Sequence, residues 1–97
     1  MKAYQIEFQT PITEGVNELN DYLHRRINRI EKDFSMVENC EVELHQESGS
    51  LKNCEVAVWV TVPRHKYVAR EKAETFRDAA EVAFDELYNQ LNGKKYG

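Results

Sequence analysis

Residues 13–34 read TEGVNELNDYLHRRINRIEKDF, and their spacing decides the fold. The apolar positions are Val16, Leu19, Leu23, Ile27, Ile30 and Phe34. Steps of three and four over the whole stretch are the helical period, and no strand presents them on one face. At about 1.5 Å per residue such a helix is roughly 30 Å long, the width of a small domain, so one face is buried along its length. Thr13 is the expected N-cap, and Gly15 falls in the first turn. Glu14, Glu18 and Asp21 open the helix, whereas Arg25, Arg29 and Lys32, with Arg26 on the flank, close it. That order complements the helix dipole. It also equips the second half with a basic surface that suits a polyanion, and the residues alone leave both readings open.

On the N-terminal side, residues 2–9 alternate, with Tyr4, Ile6 and Phe8 against Gln5, Glu7 and Gln9, as a half-buried strand does. Pro11 ends it. Beyond the helix, residues 39–46 alternate again, with Cys40, Val42 and Leu44 facing inward. A turn follows by composition (ESGSLKN). Residues 53–62 are the strongest strand, with Cys54, Val56, Val58, Val60 and Val62 on one face and Glu55, Ala57, Trp59 and Thr61 on the other. Pro63 closes it. Residues 65–73 (HKYVAREKA) make a weaker fourth strand, an edge strand with Val68 inward and its cations leaning outward. Thr75 caps a second helix, which buries Phe76, Ala80, Ala83, Phe84, Leu87 and Leu91 and stops at Gly93. The order is β-α-β-β-β-α. The economical packing is α+β in two layers, a four-stranded sheet with both helices on one face, as a single domain over residues 1–97. The first two strands are joined through a helix and are expected to be parallel, and the last three to form an antiparallel meander.

Composition excludes several functions. The 97 residues support one core. No run of 18 apolar residues exists to cross a membrane, and the N-terminus lacks the apolar core of an export signal. Cys40 and Cys54 are in phase with the inward faces of their strands and read as buried, reduced thiols of a cytoplasmic protein. The four glycines are scattered, so no phosphate loop is present; the three histidines lack ligand spacing, and no nucleophile motif stands out. The chain is therefore read as no enzyme, with neither cofactor nor metal. Net charge is −4, so nucleic-acid binding requires a local patch. The charges are segregated. Residues 64–77 hold Arg64, Lys66, Arg70, Lys72 and Arg77 against two acids, whereas residues 38–55 hold Glu38, Glu41, Glu43, Glu47 and Glu55 against Lys52 alone. This either serves solubility or marks phosphate-binding cations. Trp59, on the open sheet face, either covers the sheet locally or anchors a weak contact with another chain.

Three stretches carry a family resemblance over nearly the whole chain: Ile12, Thr13 and Glu14; RRINRIE at residues 25–31 running into Phe34; and AFDELYNQL at residues 83–91. The chain resembles the short ribosome hibernation promoting factors, the ribosome-associated translation inhibitors of the sigma-54 modulation protein family. The resemblance implies a fold similar to the double-stranded RNA-binding domain. It implies a bacterial, cytoplasmic protein that binds the small ribosomal subunit under stress and occludes the tRNA and mRNA sites without chemistry. Basic helix residues then touch ribosomal RNA; Arg26 and Arg29 fall where the family commonly has lysines. Lys94 and Lys95 match in part the family's lysine-rich tail, and the chain looks like the short form. The expected contacts are Arg25, Arg26, Arg29, Lys32, Arg64, Lys66, Arg70, Lys72, Lys94 and Lys95. One departure is clear. The outward face of helix two reads Asp78, Glu81, Asp85, Asn89 and Asn92, with Glu86 beside it, where the family usually carries lysines. That leaves an alternative, a protein-interaction domain of the same fold using acidic helix two or the Trp59 face.

Overall fold

The structure, a computed structural model, describes residues 3–8, 15–49, 51 and 53–93. Six elements follow in the order β1 (Ala3–Phe8), α1 (Val16–Asp33), β2 (Asn39–Gln46), β3 (Cys54–Val62), β4 (His65–Ala73) and α2 (Phe76–Gly93). The sheet order is β1-β2-β3-β4, with β1 parallel to β2 and the remaining pairs antiparallel. The chain thus has the expected α+β architecture. Residues of both helices and the inward faces of the strands join in one core, including Leu23, Ile27, Val42, Leu44, Val58 and Phe84. Both helices therefore lie on the same side of the sheet. Among the described residues no helix is long and apolar enough to cross a membrane.

The inward residues of β2 and β3 are those that alternation selects, and both cysteines are buried and free. Burial, with smaller contributions from Glu31 and Glu41, pushes the Cys40 thiol up to about 12, so it carries no thiolate at neutral pH. Helix α2 begins as expected, the Asp78 amide donating to the Thr75 hydroxyl at 3.1 Å.

The start of α1 differs from its expected form. Gly15 is not in the first turn but precedes it as the N-cap residue, in the left-handed region with φ 67°. The helix begins at Val16, where the apolar phase begins, and the expected Thr13 cap lies outside the described residues. Tyr22 joins the buried stripe as well.

Strand β4 requires a correction of phase. Val68 points outward and is 44% exposed, whereas Tyr67 and Ala69 are buried. The cause is register. The two residues Pro63 and Arg64 connect the strands, so His65 pairs with Val62 and Tyr67 with inward-facing Val60. A slip of one residue turns every side chain to the other face. Arg64 takes φ 71° in this turn, the left-handed region usually given to glycine or asparagine. The edge of β4 is covered in part by Gln90 of α2, whose amide donates to the Val68 carbonyl at 3.1 Å.

Beside that edge, Glu71 of β4 hydrogen-bonds Glu86 of α2. The bond, aided by burial and by repulsion from Glu86, raises the Glu71 pKa. A carboxyl whose pKa rises on folding stabilises the fold below its unfolded pKa, and that contribution disappears as pH climbs through the raised value. Glu71→Gln keeps a donor for Glu86 without the charge. It is expected to raise the thermal midpoint at pH 7 and leave it unchanged at pH 4. The gain is below about 1 kcal/mol, because Glu86 is exposed and solvent screens the pair. Equal gains at the two pH values would refute this account of the pair.

Candidate nucleic-acid interface

Contacts between the helices run in the same order along both, so α1 and α2 lie side by side and parallel. Arg77 at the start of α2 sits over Tyr22 of α1, Arg26 over Phe84, and Arg29 over Tyr88. Phe34 meets Tyr88 edge-on at 4.9 Å between ring centroids. Helical spacing puts Tyr22, Arg26, Arg29 and Asp33 of α1 on the side toward α2.

The seam therefore carries a row of arginines seated on aromatic rings. The guanidinium carbons lie 4.1 Å from the Tyr22 centroid for Arg77, 5.2 Å from Phe84 for Arg26 and 5.5 Å from Tyr88 for Arg29. Each such contact contributes about 0.5–1 kcal/mol at an exposed site. A guanidinium resting on a ring has fewer positions open to it, so less freedom is lost when it meets a phosphate.

The members of the row are not equivalent. Arg26 donates to Tyr22 Oη and to Asp85 Oδ1, both at 2.8 Å, and its side chain is only 16% exposed. Burial lowers its pKa, but the bonds to Asp85 and Tyr22 more than offset this. It ties the helices together, and in doing so neutralises one acid of helix two. Arg29 is 68% exposed, with Asp33 at 3.8 Å. Arg25 and Lys32 are exposed and have no ionic partner among the described residues. Arg77, exposed at the seam, was not among the expected contacts. Its signal in the sequence is faint, a lone cation on an otherwise acidic helix whose place beside Tyr22 depends on the packing of two helices.

The cations of β4 lie elsewhere. Lys66, Arg70 and Lys72 alternate with the buried Tyr67, Ala69 and half-buried Glu71, so they project from the open face, on the other side of the sheet from the helices. Arg70 lies over Trp59 at 5.7 Å and 3.8 Å from Glu55, and Lys72 donates to Glu47 at 3.0 Å. Arg64 sits in the exposed β3–β4 turn, and Lys94 and Lys95 lie outside the described residues. The expected contacts thus separate into a helix-layer group of Arg25, Arg26, Arg29 and Lys32 and a sheet-face group of Lys66, Arg70 and Lys72. No group of three or more potential ligands that could hold a metal occurs among the described residues.

Residues 6–96 match the family described as sigma 54 modulation protein / S30EA ribosomal protein. The chain belongs to this family. Among solved structures it is similar to a ribosomal subunit interface protein from Coxiella burnetii, with a TM-score of 0.77 at 20% identity, covering 98% of this chain and 99% of that one. It is also similar to the N-terminal domain of Protein Y from Thermus thermophilus, with a TM-score of 0.71 at 19% identity, covering 94% and 96%. At such identities the likeness establishes the fold and no more. No curated protein matches. A family member with acids along helix two retains a cationic seam beside them.

Proposed function

We propose that this protein binds the ribosome as a hibernation factor and represses translation by occupying the small-subunit tRNA and mRNA sites in stress or stationary phase. The observation that carries the reading is the row of arginines on the helix seam, flanked by Arg25 and Lys32. It supplies several fixed or exposed cations on one surface, as a phosphate backbone requires. Family membership supports the ribosome as the source of that backbone. The names of the structural relatives, a ribosomal subunit interface protein and Protein Y, agree with it.

The mechanism is steric. Arg25, Arg29, Lys32 and Arg77 contact ribosomal RNA phosphates, and Arg26 holds the helices so that the contacts stay in register. Of the acids of helix two, Asp85 is held by Arg26, while the exposed Glu81 lies on the seam side one turn from both Arg77 and Asp85, so the cations that reach RNA are those toward α1 and its solvent face. No proton or group is transferred. The protein acts in the cytoplasm, where ribosomes are.

Competition with tRNA tests the occlusion. Increasing amounts of the protein are expected to displace labelled tRNA from small subunits programmed with a short mRNA, with half-displacement tracking the protein's own affinity. Retention of tRNA at saturating protein would exclude this site while leaving ribosome binding intact.

A further inference from the structure

The open face of the sheet carries an acidic and a basic stripe with Ala57 and Trp59 of β3 between them. On β2 the outward residues include Glu41 and Glu43; on β4 they include Lys66 and Arg70. Between them β3 presents Trp59 and the small Ala57. The register sets these residues in levels: Glu41, Trp59 and Val68 share one, and Glu43, Ala57 and Arg70 the next. Strands β2 and β4 stand two spacings apart, roughly 10 Å. Glu43 and Lys66 have no ionic partner among the described residues. The face is thus acidic on one side and basic on the other, with Ala57 and Trp59 in the middle between Glu55 and Thr61, and Arg70 leans over Trp59 toward Glu55.

We propose that this face binds a second copy of the chain, face to face, about a two-fold axis running along β3. Such an axis preserves the levels and exchanges the sides. It sets β4 over β2 of the second copy, with Arg70 opposite the copy's Glu43 and Val68 opposite the apolar stem of its Glu41. Trp59 meets its own equivalent on the axis, where Ala57 leaves room for the rings. A two-fold axis across the strands would instead set β4 on β4, cation against cation, so the charge pattern selects one arrangement. The net charge of −4 repels copies at long range, but salt screens it within about 8–10 Å, and contact pairs act closer than that. The footprint, three strands of about six residues, is near 15 by 20 Å, or about 300 Å² on each partner, below the standard size of specific interfaces, so the dimer is weak and transient. It uses the side of the sheet opposite the helix seam and does not depend on ribosome binding.

Sedimentation velocity from about 10 to 1000 µM protein spans the range in which a small interface saturates. The sedimentation coefficient is expected to rise to that of a dimer at about 50 mM salt, and the rise to weaken near 500 mM. Trp59, the only tryptophan, should shift its emission to shorter wavelength over the same range. The double variants Lys66→Glu/Arg70→Glu and Glu41→Lys/Glu43→Lys, each checked for native circular dichroism, should stay monomeric alone and form a heterodimer when mixed one to one. Trp59→Ala should be monomeric in any case. A wild-type chain that stays monomeric throughout, a variant that self-associates as wild type does, or a mixture of folded variants that fails to associate would overturn the proposal.

Discussion

Replacing Arg25, Arg29 and Lys32 together with glutamate is expected to lower affinity for the small ribosomal subunit by at least about a hundredfold at physiological salt. Three neutralised phosphates are lost and three repulsive charges gained, and a single charge-assisted bond is worth about 1.5–3 kcal/mol. The matched reversal of Lys66, Arg70 and Lys72 changes affinity less than about threefold, since those side chains leave the sheet on the opposite face, and each tenfold step needs about 1.4 kcal/mol. Co-sedimentation of both variants against a series of subunit concentrations measures the contrast. Equal losses in the two variants would mean that the bound surface is not the helix seam. Arg26 is left out of the triple change because its loss frees Asp85 and mixes a packing effect with a binding one.

Phe84→Ala is expected to remove about 3–5 kcal/mol of stability, the cost of deleting a buried ring without refilling the space. A domain of this size holds about 5–15 kcal/mol in all. Phe84 is fully buried, where helix two meets the rest of the core, and the Arg26 guanidinium lies 5.2 Å from its ring. The substitution therefore opens the core and unseats the arginine that ties α1 to α2. Urea denaturation followed by Trp59 emission gives the number, and Phe84→Leu, which refills most of the space, should cost less than half as much. A loss below about 1 kcal/mol for alanine would mean that the helices repack freely and that the seam is not a fixed surface.

The seam shows where sequence reading ends. Each strand could be placed by alternation, and β2 and β4 have the expected bounds, because burial on one face of a sheet leaves a period of two in the chain itself. The inward phase of β4 is the exception, because Val68, more apolar than its neighbours, faces out. Counting from the two-residue turn gives the right phase, since the turn fixes the register with β3. Tyr22 lies at the edge of the apolar stripe of α1, and its burial comes from α2, whose Arg77 covers the ring, which the sequence of one helix does not show. The cations were all visible as cations, but not their division between two faces. That depends on strand parity for Lys66 and Arg70 and on helix packing for Arg77, whose aromatic seat lies on the other helix. The pairing of Arg26 with Asp85 likewise joins residues that only the folded chain brings together, and it changes the meaning of both. Arg26, expected as an RNA contact, also ties the helices together, and the largely exposed Asp85 is paired with it.

The most direct test of the central claim is co-sedimentation of the wild-type protein with purified small ribosomal subunits at about 50 and about 300 mM salt. Four phosphate contacts predict that affinity falls by roughly two to three decades between those concentrations. Saturable one-to-one binding with that slope would support the cationic seam as the ribosome-binding surface. Absence of saturable binding at the lower salt, or binding indifferent to salt, would contradict it.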